Sequence, residues 1–191
     1  EVADMADAAD GADAADGADV ATPEWDKGMA TTEALGTRRQ YSVARAIIHL
    51  HNIFSHDACD GEPRLEDGSP NEVCHQQYRD ALCADRVDFA LMTDHYGFVA
   101  ETDTFADLFM PRAGDVWEDE GGLHSANVMH CPDGHEVRVM VGLEGEASPL
   151  GLMRHPVEGD TGARTAAYKD DSAEGVQRLR DAGAIPVAIH I

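Results

Sequence analysis

Six side chains of the kinds that bind divalent metal ions stand at or just beyond the ends of the four most apolar runs of the chain. They are His49, His51, Asp94, His95, Glu144 and His190. Neutral imidazoles and carboxylates are common ligands of zinc, manganese and iron in proteins. A single histidine at a strand end is more often structural, but the repetition at four ends favours a shared site. The sequence therefore predicts that these ends meet around metal ions.

The apolar runs themselves have the composition of buried β-strands. Four strands are predicted, at 43–49, 87–93, 136–143 and 184–191. Two helices are predicted, at about 70–84 and at 172–181. Strands that alternate with helices are typical of an α/β fold with a parallel sheet, in which the chemistry lies at the carboxyl ends of the strands. Segment 101–135 holds two further elements that the sequence does not define.

Local signals refine two of these elements. The first helix has a capping-box sequence, with Ser69 as its cap, Pro70 at its first position and Glu72 completing the box. In the first strand, His49 and His51 are two residues apart, so their rings lie on the same side of the strand. Two imidazoles on one side can bind one metal ion.

The first 35 residues differ from the rest of the chain. Aspartate recurs every third residue from Asp4 to Asp19, with alanine and glycine between. This period matches neither a helix nor a strand, which predicts a disordered acidic spacer over 1–35 and a folded metal-binding domain over 36–191. A calcium-binding repeat is the alternative, but the segment has no turn that closes around an ion.

The overall composition excludes several classes of partner. Fourteen basic residues stand against 37 acidic ones, a formal net charge of −23, which argues against binding to nucleic acid and to anionic membranes. No run of 18 apolar residues exists, so no transmembrane helix is predicted. Hydrophobic residues make up 43% of the chain, enough for a packed core. The sequence gives no prediction of the oligomeric state.

The four cysteines form an even number and predict two disulfides. Cys74 and Cys83 fall on opposite faces of the first helix and ~13 Å apart along it, so they do not pair with each other. Each therefore pairs with Cys59 or Cys131. Disulfides and an acidic spacer favour an extracytoplasmic protein, whether periplasmic, secreted or tethered to a surface. Four buried thiols in a cytoplasmic protein are the alternative.

Four segments resemble, in order and spacing, the motifs of the PHP superfamily, named for polymerase and histidinol phosphatase. They are HLHNIFSHDACDG at 49–61, DFALMTDH at 88–95, VGLEGE at 141–146 and VAIH at 187–190. The resemblance implies the N-terminal part of a distorted TIM-like (β/α)7 barrel that binds two or three divalent ions of zinc, manganese or iron. The superfamily ends its site with a later Asp-x-His, so we expect the chain, which ends at Ile191, to be truncated after the fourth strand.

The resemblance also implies roles for individual residues. His49 and His51 would bind the first metal ion, and Glu144 would bridge it to the second. His155 and His190 would complete the second ion.

A third ion would be bound by His95 together with Asp57. Asp60 or His56 could exchange roles with Asp57, because this motif is longer than usual. Asp94 would orient a ligand close to the reaction.

These roles imply a metal-dependent hydrolase that activates water and acts on a small phosphorylated substrate. Arg112, Arg154 and Arg164 are candidate phosphate-binding residues. The sequence leaves two alternatives open: a metal-binding exported domain without catalysis, and a hydrolase of amide or ester bonds.

Overall fold

The computed structural model describes residues 30–145 and 147–188. In these residues the chain forms nine β-strands, four α-helices and three short 3-10 turns. The strands are Thr37–Arg38 (β1), Tyr41–Ser42 (β2), Ala46–Leu50 (β3), Phe89–His95 (β4), Val116–Glu120 (β5), Leu123–His130 (β6), Glu136–Glu144 (β7), Ala147–Leu152 (β8) and Ile185–Ala188 (β9). The helices are Glu72–Ala84 (α1), Tyr96–Glu101 (α2), Thr161–Tyr168 (α3) and Ala173–Asp181 (α4).

Seven of the strands form one mixed sheet around β7. Strands β3, β4 and β7 are parallel neighbours in that order. The other edge of β7 forks: β6 pairs antiparallel with its first half and β8 pairs antiparallel with its second half. Strand β5 continues the β6 branch and β9 continues the β8 branch, both antiparallel.

The core lies on one face of this sheet. Alternate residues of β7 are buried, and the first two, Val137 and Val139, pack with α1, while Val141 and Leu143 pack with α2, α3 and α4. Arg138 and Met140, which lie between them, are more exposed, whereas Gly142 is buried beneath its neighbours. This alternation follows from the two-residue period of a strand.

The predicted barrel is wrong. The described residues contain an open, forked sheet and no closed barrel. A barrel of this type needs each strand to be followed by a helix and a parallel strand. Here the chain after α2 forms the β5–β6 hairpin, and β8 runs antiparallel to β7 after a short turn at Gly145. Parallel pairing is therefore limited to β3, β4 and β7.

The predicted elements correspond in part to those observed. The four strands and two helices appear at β3, β4, β7, β9, α1 and α4, and the last strand is described only to Ala188. The cap of α1 is Asn71, whose side chain accepts a hydrogen bond from the Cys74 amide. The prediction of Ser69 as the cap is wrong, because its hydroxyl instead donates to Asp67.

The two predicted disulfides are confirmed. They join Cys59 to Cys74 and Cys83 to Cys131. Both involve α1: one fastens its first turns to the loop after β3, and the other fastens its last turn to the β6–β7 turn.

The boundary of the predicted spacer falls within the described chain. Residues 1–29 lie outside the described part, whereas Thr32 is buried and donates a hydrogen bond to Asp88. The end of the predicted spacer thus packs on the domain. Among the described residues, no helix combines the length and apolarity needed to cross a bilayer.

Gly142 offers a test of the packing between β4 and β8. A Cβ atom at this position would lie 2.8 Å from Thr93 Cγ2 and 2.9 Å from the Pro149 carbonyl oxygen. We expect Gly142→Ala to lower the free energy of unfolding by about 1–3 kcal/mol, the usual cost of overpacking. Urea unfolding measures it. Gly97→Ala is the control, because its Cβ would meet open space in α2; equal stabilities of the two variants would contradict the packing of β4 against β8.

Candidate metal centre

The parallel strands bring the predicted ligands to one edge of the sheet. In the β4–β7 register, His95 lies opposite Glu144, so both side chains stand at the same carboxyl edge. His49 lies near the end of β3, and His51 follows directly after that strand. The rings of His51 and His95 have centroids 4.8 Å apart. The sheet therefore unites residues that are far apart in the sequence.

Two imidazoles and two carboxylates form a closed ring at this edge. Asp57 Oδ2 lies 2.8 Å from His51 Nδ1 and 3.3 Å from His95 Nε2. Glu144 Oε2 lies 3.4 Å from His51 Nε2 and 2.9 Å from His95 Nδ1. Each carboxylate thus lies between both imidazoles. We call these four residues, together with His49, the ligand cluster.

On the Glu144 side of the ring, Glu144 Oε2 and His51 Nε2 lie 3.4 Å apart. Both atoms are buried and make no hydrogen bond among the described residues, although Oε2 lies 2.9 Å from His95 Nδ1. Unpaired buried polar atoms are costly, and a bound cation satisfies them without a hydrogen bond. This donor set suits zinc, manganese or iron.

Two groups of three donors can each hold an ion. The first is His49, His51 and Glu144, and the second is His51, Asp57 and His95; within each, the donor atoms lie within 4.8 Å of one another. The Thr93 hydroxyl lies 3.2 Å from His49 Nδ1 and accepts a hydrogen bond from the Leu50 amide. That contact orients the His49 ring.

A short loop after β3 positions Asp57. The Ser55 hydroxyl donates a hydrogen bond of 2.6 Å to Asp57 Oδ1. This bond and the one from His51 hold the pKa of Asp57 well below its usual range. The loop then passes through Cys59 in the left-handed conformation and is fastened to α1 by the disulfide to Cys74.

His51 is the central residue of the cluster. Burial by itself lowers its pKa, but the hydrogen bond with Asp57 and the nearby negative charges, including Asp94 and Glu144, outweigh burial and raise the pKa above the usual value. A neutral imidazole that donates from Nδ1 to Asp57 leaves the Nε2 lone pair free on the Glu144 side. Asp57 therefore sets which nitrogen of His51 faces a metal ion.

Asp94 is buried next to the cluster and bonds to the backbone of Asn52, which follows His51. Its carboxyl group is almost fully buried, and Oδ1 accepts a hydrogen bond of 2.8 Å from the Asn52 amide. Burial raises the pKa of Asp94 to about 6. The contact fixes the backbone next to His51, which agrees with an orienting role rather than direct coordination.

The structure does not bring His155 into the cluster. Its ring is buried, with Nε2 2.9 Å from the Thr102 carbonyl oxygen and Nδ1 2.9 Å from the Tyr168 hydroxyl. Both nitrogens are therefore engaged within the protein and the ring packs away from the cluster, so the second-ion role of His155 stays a prediction. His190 lies outside the described residues.

The candidate arginines are occupied by other partners. Arg154 donates to the Asp181 carbonyl at the end of α4, and Arg164 pairs with Asp103. Arg112 pairs with Glu72 on α1. Each of the three instead stabilises a helix end or a loop. In the described part of the chain none of them contacts the ligand cluster, so their role in phosphate binding stays a prediction.

Residues that the sequence left undecided or overlooked surround the cluster. Asp60 is exposed and belongs to neither donor group, and the His56 ring centroid lies 5.3 Å from that of His95. Asn52 was not predicted: its side-chain amide donates to the Leu108 carbonyl, and its oxygen accepts from the Phe54 amide. The sequence signal that could have identified Asn52 is a polar residue placed between the strand-end histidine His51 and the apolar pair Ile53-Phe54.

Comparisons with protein-family models, with curated proteins and with solved structures returned no match to the chain. The function of the chain is therefore inferred from the geometry of the cluster.

The two disulfides have separable effects. Removing Cys59–Cys74 frees the loop that holds Asp57, so we expect Cys59→Ser with Cys74→Ser to weaken zinc binding at least about tenfold. Loop entropy gives about 3 kcal/mol of stability for its 15-residue separation and about 4 kcal/mol for the 48 residues between Cys83 and Cys131. Cys83→Ser with Cys131→Ser should thus lower stability more and zinc affinity less. Calorimetric titration measures the zinc affinity of each double variant, and urea unfolding measures its stability. If one double variant lost more of both zinc affinity and stability than the other, the separation of the two roles would be contradicted.

Ligand and packing histidines should behave differently on truncation. We expect His95→Ala to reduce the zinc bound after dialysis, because it removes a donor of the second group. His155→Ala should leave zinc content unchanged and lower the free energy of unfolding by about 1–3 kcal/mol, since it leaves buried partners unpaired. Elemental analysis of both variants decides the matter. Zinc loss in His155→Ala with an intact fold would return that residue to the site.

Proposed function

We propose that the protein is a metal-dependent hydrolase of small phosphomonoesters. The observation that carries the proposal is the closed ring of His51, Asp57, His95 and Glu144, in which each carboxylate lies between both imidazoles. Such a set of neutral and anionic donors binds divalent cations and leaves positive charge for a substrate anion.

Two cations are assigned to the described cluster. His49, His51 through Nε2, and Glu144 would hold one, and Asp57 with His95 Nε2 would hold the other. A neutral imidazole coordinates through one nitrogen, so His51 serves one ion at a time. The ion that the resemblance to the PHP superfamily assigns to His155 and His190 would need donors outside this cluster. That resemblance remains a prediction and concerns the motif residues, not the barrel.

The cluster is open on the side that a substrate would approach. The side chains of Asp57, His95 and Glu144 are each about 40% exposed. Bound divalent cations lower the pKa of coordinated water toward neutrality and stabilise charge on phosphate oxygens. The protein supplies the fixed geometry: Ser55 holds Asp57, and the buried Asp94 holds the backbone beside His51.

Charge favours a small substrate. The chain carries a formal net charge of −23, which repels nucleic acids and other polyanions at long range. A monoester has one phosphate group, whose charge would be offset locally by cations bound to the cluster. The two disulfides support a site of action in an oxidising, extracytoplasmic compartment.

Glu144→Gln tests the proposal. The amide keeps the shape of the side chain but loses its charge, so we expect zinc or manganese content to fall and kcat/KM for ethyl phosphate to drop by roughly 100-fold or more. Glu136→Gln, at the other end of β7, is the matched control and should keep both. The assay is phosphate release by the metal-loaded protein.

Other outcomes identify the alternatives. Metal binding without release of phosphate from any monoester would indicate a non-catalytic metal-binding domain. Cleavage of carboxylic esters or amides instead would indicate the third class of function. Full activity of Glu144→Gln would overturn the assignment of the cluster as the active site.

A further inference from the structure

A cleft of about 550 Å³ lies beside the metal centre, between the loop after β3, the start of α1, α2 and the 3-10 turn Phe105–Phe109. Its size is that of a typical small-molecule site. Phe54, Phe98, Leu108 and Met110 form apolar parts of its wall. His75 and Arg112 are among the polar residues that line it.

The cleft is continuous with the cluster. A second depression, lined by His56 and His95, shares Phe54, Phe98 and Glu101 with the first. A substrate whose phosphate is bound beside His95 therefore extends between the two phenylalanine rings into the cleft. Resting on the function proposed above, the geometry points to this cleft as the binding site of the leaving group.

His75 gives the cleft a neutral polar group. Its residue surface is 5% exposed, and Nδ1 accepts a hydrogen bond from Arg112 Nε, so the ring proton resides on Nε2. Burial and the nearby Arg79 lower its pKa, which keeps it uncharged. In the described part of the chain Nε2 has no partner. A buried donor of this kind favours an occupant that brings a hydrogen-bond acceptor.

The charges of the wall exclude a second anion. Four carboxylates line the cleft against two guanidinium groups, those of Arg64 and Arg112. Arg112 pairs with Glu72, and Arg64 lies 4.8 Å from the centre of the Phe54 ring. Glu101, Asp103 and Asp107 are the other three carboxylates of the wall. A second phosphate or carboxylate would be repelled here, whereas an aromatic ring fits between aromatic walls. The substrate class is therefore the phosphomonoester of an arylalkyl alcohol that carries no second anionic group.

Two esters with similar leaving groups separate binding from chemistry. Both 2-phenylethyl phosphate and ethyl phosphate release a primary alkoxide, so a difference between them reports the ring. We expect kcat/KM to be at least about tenfold higher for the phenylethyl ester, because a buried ring contributes more than the 1.4 kcal/mol that tenfold requires. Phe98→Leu should remove most of this preference, because it removes a ring from the wall that the two depressions share. Phe89→Leu, at the opposite end of β4, should retain the preference.

Direct binding of 2-phenylethanol, measured by ligand-observed NMR, tests the cleft without turnover. Binding of 2-phenylethanol that weakens at least about fivefold in Phe98→Leu but not in Phe89→Leu supports the inference. If this is found and neither ester is hydrolysed, the proposed function fails and the binding site stands. Absence of 2-phenylethanol binding to the folded protein overturns it. Equal kcat/KM for the two esters in an active enzyme also overturns it.

Discussion

The parallel pairing of β4 with β7 is the constraint on which the site depends. Seven consecutive residue pairs, from Phe89 opposite Arg138 to His95 opposite Glu144, fix the register. A shift by one residue would turn the buried valines of β7 toward the other face and move Glu144 away from His95. The same hydrophobic alternation that forms the core therefore also sets the distance between two candidate ligands. Strand β3 pairs parallel on the far side of β4 and carries His49 in the stretch between Ile47 and Leu50, where the register shifts.

This arrangement concentrates like charges at one edge. Asp57, Asp94 and Glu144 lie around His51, and burial raises the pKa of Asp94 to about 6. The fold offsets part of this repulsion with hydrogen bonds to Asp57 and Asp94 from Ser55 and the Asn52 amide. A divalent cation bound at this edge would offset the repulsion between carboxylates that these hydrogen bonds leave. Crowded carboxylates with directed hydrogen bonds are thus a more informative feature than any one histidine.

The sequence contains enough information for the parallel centre and too little for its surroundings. Alternating valines and a terminal Glu144 define β7, and the neighbouring motifs define β3 and β4. Strand β5 has the sequence VWEDE and β8 has ASPLGL with Pro149 and Gly151, which lack a strand's usual composition because tertiary pairing, not propensity, forms them. For His155, local sequence cannot show that its ring partners are Thr102 and Tyr168, 53 and 13 residues away. Contacts between distant residues leave no local pattern from which they could be predicted.

Both disulfides anchor α1, and this has a consequence for a chain exposed to proteases. A cut anywhere between Cys83 and Cys131 leaves the two pieces covalently joined, and that stretch includes the Gly121–Gly122 tip of the β5–β6 hairpin. A cut between Cys59 and Cys74 is bridged in the same way. Nicked molecules therefore keep β4 and the loop carrying Asp57 attached to the sheet. The covalent framework therefore keeps the domain in one piece after a cut at the exposed Gly121–Gly122 turn.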